Sequence, residues 1–394
     1  MNTFYDYLYW RGDITFDQSP LNEIDTMIFS MLSYIDFSPV FSEFDLDKRY
    51  TMTEIEKVLS AAGVFQNTEK LMDFDKECLS ILQIVASNKR YSAIEVFGYY
   101  EYFKISKDTQ FSAISYMLED SSIVVSFRGT DTSLVGWKED LAMSFCTKIG
   151  SQQKGVEYLK KISKVNDKSL YIAGHSKGGN VAIYAAIKSE ESIQNRIIKV
   201  YNFDGPGFNK KAVSKEEYDI LGVEKIVTII PQASVVGILL QHEEPFSIAY
   251  SSKKTGIFQH YPTTWEVDVT GFKRVEGIKN ESQYFDETIH TFLDSLSEKE
   301  LEFFVDTIFN SLQAGGAVTL LDLSKTRGKA FTAIRKYYLE TPKETRKQVE
   351  AVLKAFFKVS REVSKKETIR QFNINKEKTA NLFKQTRLTE IVKN

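Results

Sequence analysis

Ser169-Leu170-Tyr171-Ile172-Ala173-Gly174-His175-Ser176-Lys177-Gly178-Gly179-Asn180-Val181-Ala182-Ile183-Tyr184-Ala185-Ala186 is the stretch that decides the fold. Its first five residues form an apolar run that reads as a short buried strand. The small and helix-favouring residues from Gly179 onward read as the start of a packed helix. Between them, Gly174-His175-Ser176-Lys177-Gly178 matches Gly-x-Ser-x-Gly, a sharp turn that holds a serine in a strained conformation with its hydroxyl above a sheet. Glycines two residues to either side let strand and helix pass without a Cβ collision. A structural serine in a glycine-rich turn is the alternative. A phosphate loop is disfavoured, because the Gly-x-x-x-x-Gly-Lys-Ser/Thr spacing is missing. The strand–turn–helix context favours a reactive serine.

A second segment supports that reading. Ser122-Ile123-Val124-Val125-Ser126-Phe127 is a β-branched apolar run leading into Arg128-Gly129-Thr130-Asp131-Thr132 and then Trp137-Lys138-Glu139-Asp140. Acyl transfer builds negative charge on a carbonyl oxygen, so donors must be fixed before the reaction begins. One expected donor is the backbone N–H of Lys177, directly after the serine. The other must come from a loop following an earlier strand. The turn at Gly129-Thr130 can offer its N–H, with the Thr130 hydroxyl as a helper. Arg128 is expected to prop this loop through ion pairs rather than to act on substrate.

Arg-Gly-Thr, the nearby Trp-x-x-Asp, and Gly-His-Ser-x-Gly-Gly resemble the class 3 lipases of the α/β-hydrolase fold. The likeness is nearest to a bacterial branch of lipase-like proteins that carries a domain of unknown function. It spans Asp25 to His290 and is sharpest at Arg128–Asp140 and Tyr171–Gly179. The resemblance implies that Thr130 is the oxyanion-hole residue and that Leu134, Val135 and Trp137 form a lid-like segment.

A triad also needs a base and an acid, in the chain order serine, acid, histidine. The chain has four histidines. His175 precedes the serine and should point away from its hydroxyl, and His290 lies in an expected helix around Tyr284–Phe292. His260, in a loop after the strand-like Pro245–Tyr250, is the favoured base, with His242 as the alternative. Class 3 lipases carry the acid after the strand that here reads Lys225–Ile230. The residues that follow, Pro231-Gln232-Ala233-Ser234, contain no carboxylate. The preceding strand, Ile197–Phe203, ends at Asp204-Gly205-Pro206-Gly207, a segment similar to one in pancreatic-type lipases. Asp204 is therefore the favoured acid, with Glu243 or Glu244 as fallback and a Ser176–His260 dyad also open. A plain turn-capping role is the competing reading of Asp204.

Strands expected at 122–128, 169–174, 197–204, 225–231 and 246–251 alternate with helical stretches. Strand-like patches also occur at Ile94–Tyr100 and Phe111–Met117. That alternation predicts an α/β fold, with a mostly parallel sheet and helices on both faces. With the resemblance, the expected class is the α/β-hydrolase fold. The expected organisation is a helical N-terminal region at 1–90, with helices at Asp25–Ile35 and Thr53–Leu59, a hydrolase core at 91–295, and a helical basic extension at 296–394.

At 394 residues and 42% hydrophobic, the chain can bury a large core. Two cysteines, Cys78 and Cys146, cannot form a disulfide framework, and no Cys/His spacing suggests zinc. The mechanism needs no cofactor and no metal. The first residues lack the basic and apolar regions of a signal peptide, and no apolar run approaches membrane-spanning length. A cytoplasmic location is the expectation. From Asp322 onward the sequence holds 19 Lys/Arg against 8 Asp/Glu, an excess of 11 positive charges that leaves the remainder at −13. Within this tail, Val349, Val352, Leu353, Phe356 and Phe357 fall on one helical stripe. Such a helix packs on its own acidic domain, or lies on an anionic inner-membrane surface as a peripheral contact. Nucleic acid is not an expected partner. The expected function is cleavage of a lipid or acyl ester through an acyl-enzyme on Ser176. The alternative from another class is a catalytically silent lipid- or partner-binding module.

Overall fold

The computed structural model describes residues 2–314 apart from 70, 132, 254, 255, 280–286, 290 and 294, together with residues 342, 343, 346, 347, 350 and 354. The strand leading to Ser176 lies inside an eight-stranded sheet whose spatial order follows the chain. Its strands are β1 (Arg49–Thr51), β2 (Glu95–Lys104), β3 (Thr109–Met117), β4 (Ile123–Phe127), β5 (Leu170–His175), β6 (Ile197–Phe203), β7 (Ile226–Pro231) and β8 (Phe246–Ala249). β1 to β4 pair antiparallel. From β4 to β8 every pairing is parallel, so four of the seven are parallel and the architecture is α/β.

This one-way order has a structural consequence. Right-handed crossovers that always advance in one direction deliver their helices to the same face of the sheet. That face is packed by α6 (Gly150–Ile162), α7 (Lys177–Ile187), the short α8 (Glu191–Gln194) and α9 (Lys215–Leu221) over Ile123, Val125, Phe127, Leu170, Ile172 and Val200. Side chains alternate along a strand, so Val124 and Ala173 point to the other face. There they meet α1 (Phe4–Arg11), α2 (Glu23–Leu32), α3 (Met52–Ala61) and α4 (Asp73–Val85). Helices do cover both faces, as the alternation predicted, but one of the two layers is N-terminal.

A buried polar knot fixes that layer. Asp25 in α2 accepts hydrogen bonds from Tyr7 Oη (2.9 Å), Tyr91 Oη (2.6 Å), Arg90 Nε (2.9 Å) and Arg90 Nη2 (2.6 Å). Both Asp25 and Arg90 side chains are fully buried. The guanidinium also donates to the carbonyls of Ile14, Thr15 and Ser19 and lies 3.9 Å from the centre of the Phe16 ring. Buried charges persist where they are paired and hydrogen-bonded in this way.

The five expected strands of the 122–251 region match β4 to β8 closely, and the two upstream patches are β2 and β3. The expected helices at 25–35 and 53–59 are α2 and α3. Within residues 1–90, three described elements lie outside the sequence expectations: α1, α4 and the strand β1, which puts part of this region into the sheet itself. Further along, α5 (Leu134–Ala142) follows the Arg128–Asp131 turn and α10 (Gly256–Gln259) precedes His260. A later helix, α11 (Glu298–Ala314), packs Val305 and Phe309 against Leu134, with Asp306 2.9 Å from Lys138. Within the expected helix at 284–292, residues 287–289, 291 and 292 are helical, whereas 284–286 and His290 lie outside the described residues, as does most of the expected helix at 343–359.

Candidate active site

Ser176 sits between β5 and α7 with φ 59° and ψ −135°, a left-handed backbone that non-glycine residues rarely adopt. Its N–H donates to Phe203 O at 2.9 Å, which anchors the turn on β6. A Cβ at Gly174 would collide with the Gly178 carbonyl, and one at Gly178 would collide with the Phe127 carbonyl. The two flanking glycines are therefore required by close backbone approach. Although Ser176 occupies the N-cap of α7, its side chain makes no capping bond. Among the described residues its hydroxyl has no hydrogen-bond partner.

Asp204 stands at the end of β6, directly beside the end of β5, because His175 and Phe203 are partners in the parallel register. It too has a left-handed φ, 49°. Its Oδ2 lies 2.7 Å from His260 Nδ1. Oδ1 accepts from Ser234 Oγ (2.5 Å) and from the Gly237 N–H (3.1 Å). The loop after β7, which lacks the acid expected by family likeness, instead supplies donors that hold the acid of the neighbouring strand. A carboxylate only accepts here, so Nδ1 carries a proton toward Asp204 and Nε2 is the ring atom left to exchange a proton with the serine. Asp204 is fully buried, whereas the His260 side chain is 18% exposed.

The other histidines separate cleanly. His175 is buried, with Nε2 2.8 Å from the His260 carbonyl and Nδ1 3.0 Å from Tyr34 Oη. A carbonyl only accepts, so Nε2 carries the proton and Nδ1 accepts from tyrosine. Burial, reinforced by the nearby His260, holds its pKa well below 6.5 and keeps the ring neutral. Phe74 of α4 stacks on Tyr261 and lies against His175, so the N-terminal layer props the His260 loop. His242 is bonded to Glu244 at 2.8 Å, and Glu244 also accepts from Thr228 Oγ1 at 2.7 Å. Glu243 accepts from Gln241. His260 takes neither fallback acid.

The Arg128–Asp131 turn lies over the serine. A Cβ on Gly129 would meet Tyr34 Oη and stand 3.1 Å from Ser176 Cβ. Thr130 donates its hydroxyl to Asp140, at 2.8 Å from Oδ1 and 2.6 Å from Oδ2. That hydroxyl is committed, so the backbone N–H is what the turn can offer to a substrate. Neither the Thr130 nor the Lys177 N–H has a hydrogen-bond partner among the described residues. Burial raises the Asp140 pKa to about 6, opposed first by the Lys177 ammonium. Arg128 pairs with Glu101 at 2.8 Å and props the turn. Of the lid-like residues, Leu134 and Val135 are buried and Trp137 is 41% exposed.

The sequence reading did not include Tyr34, Phe74, Ser234, Gly237, Gln110 or Glu139 among the residues around the site. Only Glu139 carried a signal: a carboxylate adjoining Asp140 and available to the lysine after the serine. Among the described residues, no group of three or more His, Cys, Asp or Glu side chains could hold a metal ion, and no helix is long and apolar enough to cross a membrane.

A family model described as Mbeg1-like, a lipase-like family, matches residues 85–310. No curated protein matches the chain. Among solved structures, the chain is similar to one titled "Rhizomucor miehei lipase propeptide complex, native", with a TM-score of 0.34 and 12% identity, covering 66% of this chain and 74% of that one.

Proposed function

The chain belongs to the Mbeg1-like family, and we propose that it is a serine ester hydrolase of α/β-hydrolase type, acting on a lipid or other acyl ester. The observation that carries this reading is the 2.7 Å Asp204–His260 bond at the end of the strand adjoining a left-handed Ser176. In the proposed reaction, Ser176 Oγ attacks the ester carbonyl while His260 Nε2 takes its proton and returns it to the leaving alcohol. Asp204 holds the imidazole in its working tautomer. The N–H groups of Lys177 and Thr130 bind the oxyanion, and water, activated by the same histidine, releases the acyl group. Ser176 Oγ and His260 Nε2 are not bonded to each other here. Such bonds often tighten only when substrate is bound. The missing Ser176–His260 bond favours the second reading, a silent binding module, which kinetics separates from the first.

Hydrolysis of p-nitrophenyl butyrate and of longer-chain esters tests the proposal. Ser176→Ala and His260→Ala should abolish turnover above background. Asp204→Asn should lower kcat by roughly 10³- to 10⁴-fold, as loss of the orienting acid does in other triads. His242→Ala should leave kcat within a few-fold of wild type. Full turnover in Asp204→Asn or His260→Ala would overturn the assignment.

A further inference from the structure

Lys177 is an unusual residue to find directly after the candidate nucleophile. It opens α7, where the helix dipole disfavours a cation. Its side chain is only 1% exposed. All three ammonium hydrogens have acceptors: Gln110 O (2.9 Å), Gln110 Oε1 (2.8 Å) and Glu139 Oε2 (2.9 Å). Glu139, also 1% exposed, accepts further from the N–H groups of Gln110 (3.1 Å) and Ser151 (2.7 Å). This pair therefore ties β3, α5, α6 and α7 together beneath the serine turn. Asp140, the next residue of α5, lies 3.9 Å from the same ammonium and holds the Thr130 hydroxyl. One continuous polar chain thus runs from the side chain of Lys177 to Thr130, the two residues whose N–H groups the proposed reaction assigns to the oxyanion.

We propose that the buried Lys177–Glu139 pair is a clasp that fixes the two halves of the oxyanion hole relative to each other. Lys177 then has two separate parts: its N–H contacts the substrate oxyanion, and its side chain is a positioning group acting through α5 and Thr130. This rests on the reading of Ser176 as an acylated nucleophile. A buried ion pair is often no more stabilising than an apolar pair of similar volume, so stability alone does not account for it. Positioning does, because donors displaced by about 1 Å can cost roughly 100-fold in rate. Substrate affinity drawn from the acyl and alcohol parts does not pass through this chain.

The test is the double variant Lys177→Met/Glu139→Gln, which removes both charges and retains approximate side-chain size, alongside Lys177→Met alone. The single variant strands a buried carboxylate and is expected to be less stable. The double variant is expected to fold, with circular dichroism matching wild type. Its kcat on p-nitrophenyl butyrate and its fluorophosphonate inactivation rate should fall together, about 10- to 100-fold, with KM within twofold. Hydrogen–deuterium exchange should speed up across 128–142 and stay unchanged in β6 and β7. A folded double variant with wild-type kcat and wild-type exchange at 128–142 overturns the clasp. If wild type itself resists the fluorophosphonate, the hydrolase reading fails, and exchange alone then decides: faster exchange at 128–142 supports the clasp as a positioning device, and unchanged exchange overturns it.

Discussion

At the scale of single residues, the site is a set of side chains whose freedom has been removed. Ser176 is held left-handed, Asp204 is bonded at both oxygens, and His175 is kept neutral between Tyr34 and the His260 carbonyl. The last has a measurable consequence. A buried histidine with a depressed folded-state pKa contributes stability that is present above its unfolded pKa of about 6.5 and is lost as pH falls below it. The unfolded chain there takes up a proton that the folded protein refuses, so stability should drop by up to about 1.4 kcal/mol per pH unit between pH 6.5 and 5. His175→Gln should flatten the urea-unfolding stability over that range by close to one proton; an unchanged slope would contradict a neutral buried ring. Ser176 and Asp204 could be set at strand ends from sequence because each directly follows an apolar run, whereas His260, which follows the short helix α10, was chosen from only four histidines. Ser234 and Gly237 were not, since a hydroxyl and a backbone N–H leave no pattern in sequence. The burial of Lys177 was hidden because lysine at a helix start reads as a solvated charge.

At the scale of elements, the parallel strands were legible because apolar β-branched runs such as Ile123–Val125 and Ile226–Ile230 are bounded by turn residues. β1 has three residues, too few for any periodicity, and enters the sheet only by pairing with β2. α4 carries Cys78, Ile81, Leu82 and Val85 at helical spacing, yet its neighbours gave no hint that Phe74 would reach the His260 loop. The knot joining α1 and α2 to the segment before β2 depends on Arg90, a long-range partner that local pattern does not reveal. Arg90→Ala would strand a fully buried Asp25 carboxylate. It should lower stability by about 3–5 kcal/mol in denaturant unfolding. A loss below about 1 kcal/mol would mean that the knot is dispensable.

At the scale of the whole molecule, one-way winding of the sheet makes the N-terminal helices part of the fold rather than an addition to it. The family match begins at residue 85, after α1, α2, α3 and nearly all of α4. A fragment of 85–310 would expose the face that carries Tyr116, Val124, Ala173 and Phe203. Such a fragment should aggregate, or bind the dye ANS without a cooperative melt; a soluble monomer with a sharp transition would contradict the two-layer account. Both layers converge on Ser176: α7 and the Lys177 clasp from one side, Tyr34 and Phe74 from the other. The most direct measurement of what they support is intact-mass analysis after treatment with a fluorophosphonate, comparing wild type with Ser176→Ala in the presence of detergent. The account predicts a single adduct on wild type, located at Ser176, and none on the variant. An unlabelled but folded wild type, or equal labelling of both proteins, would contradict it.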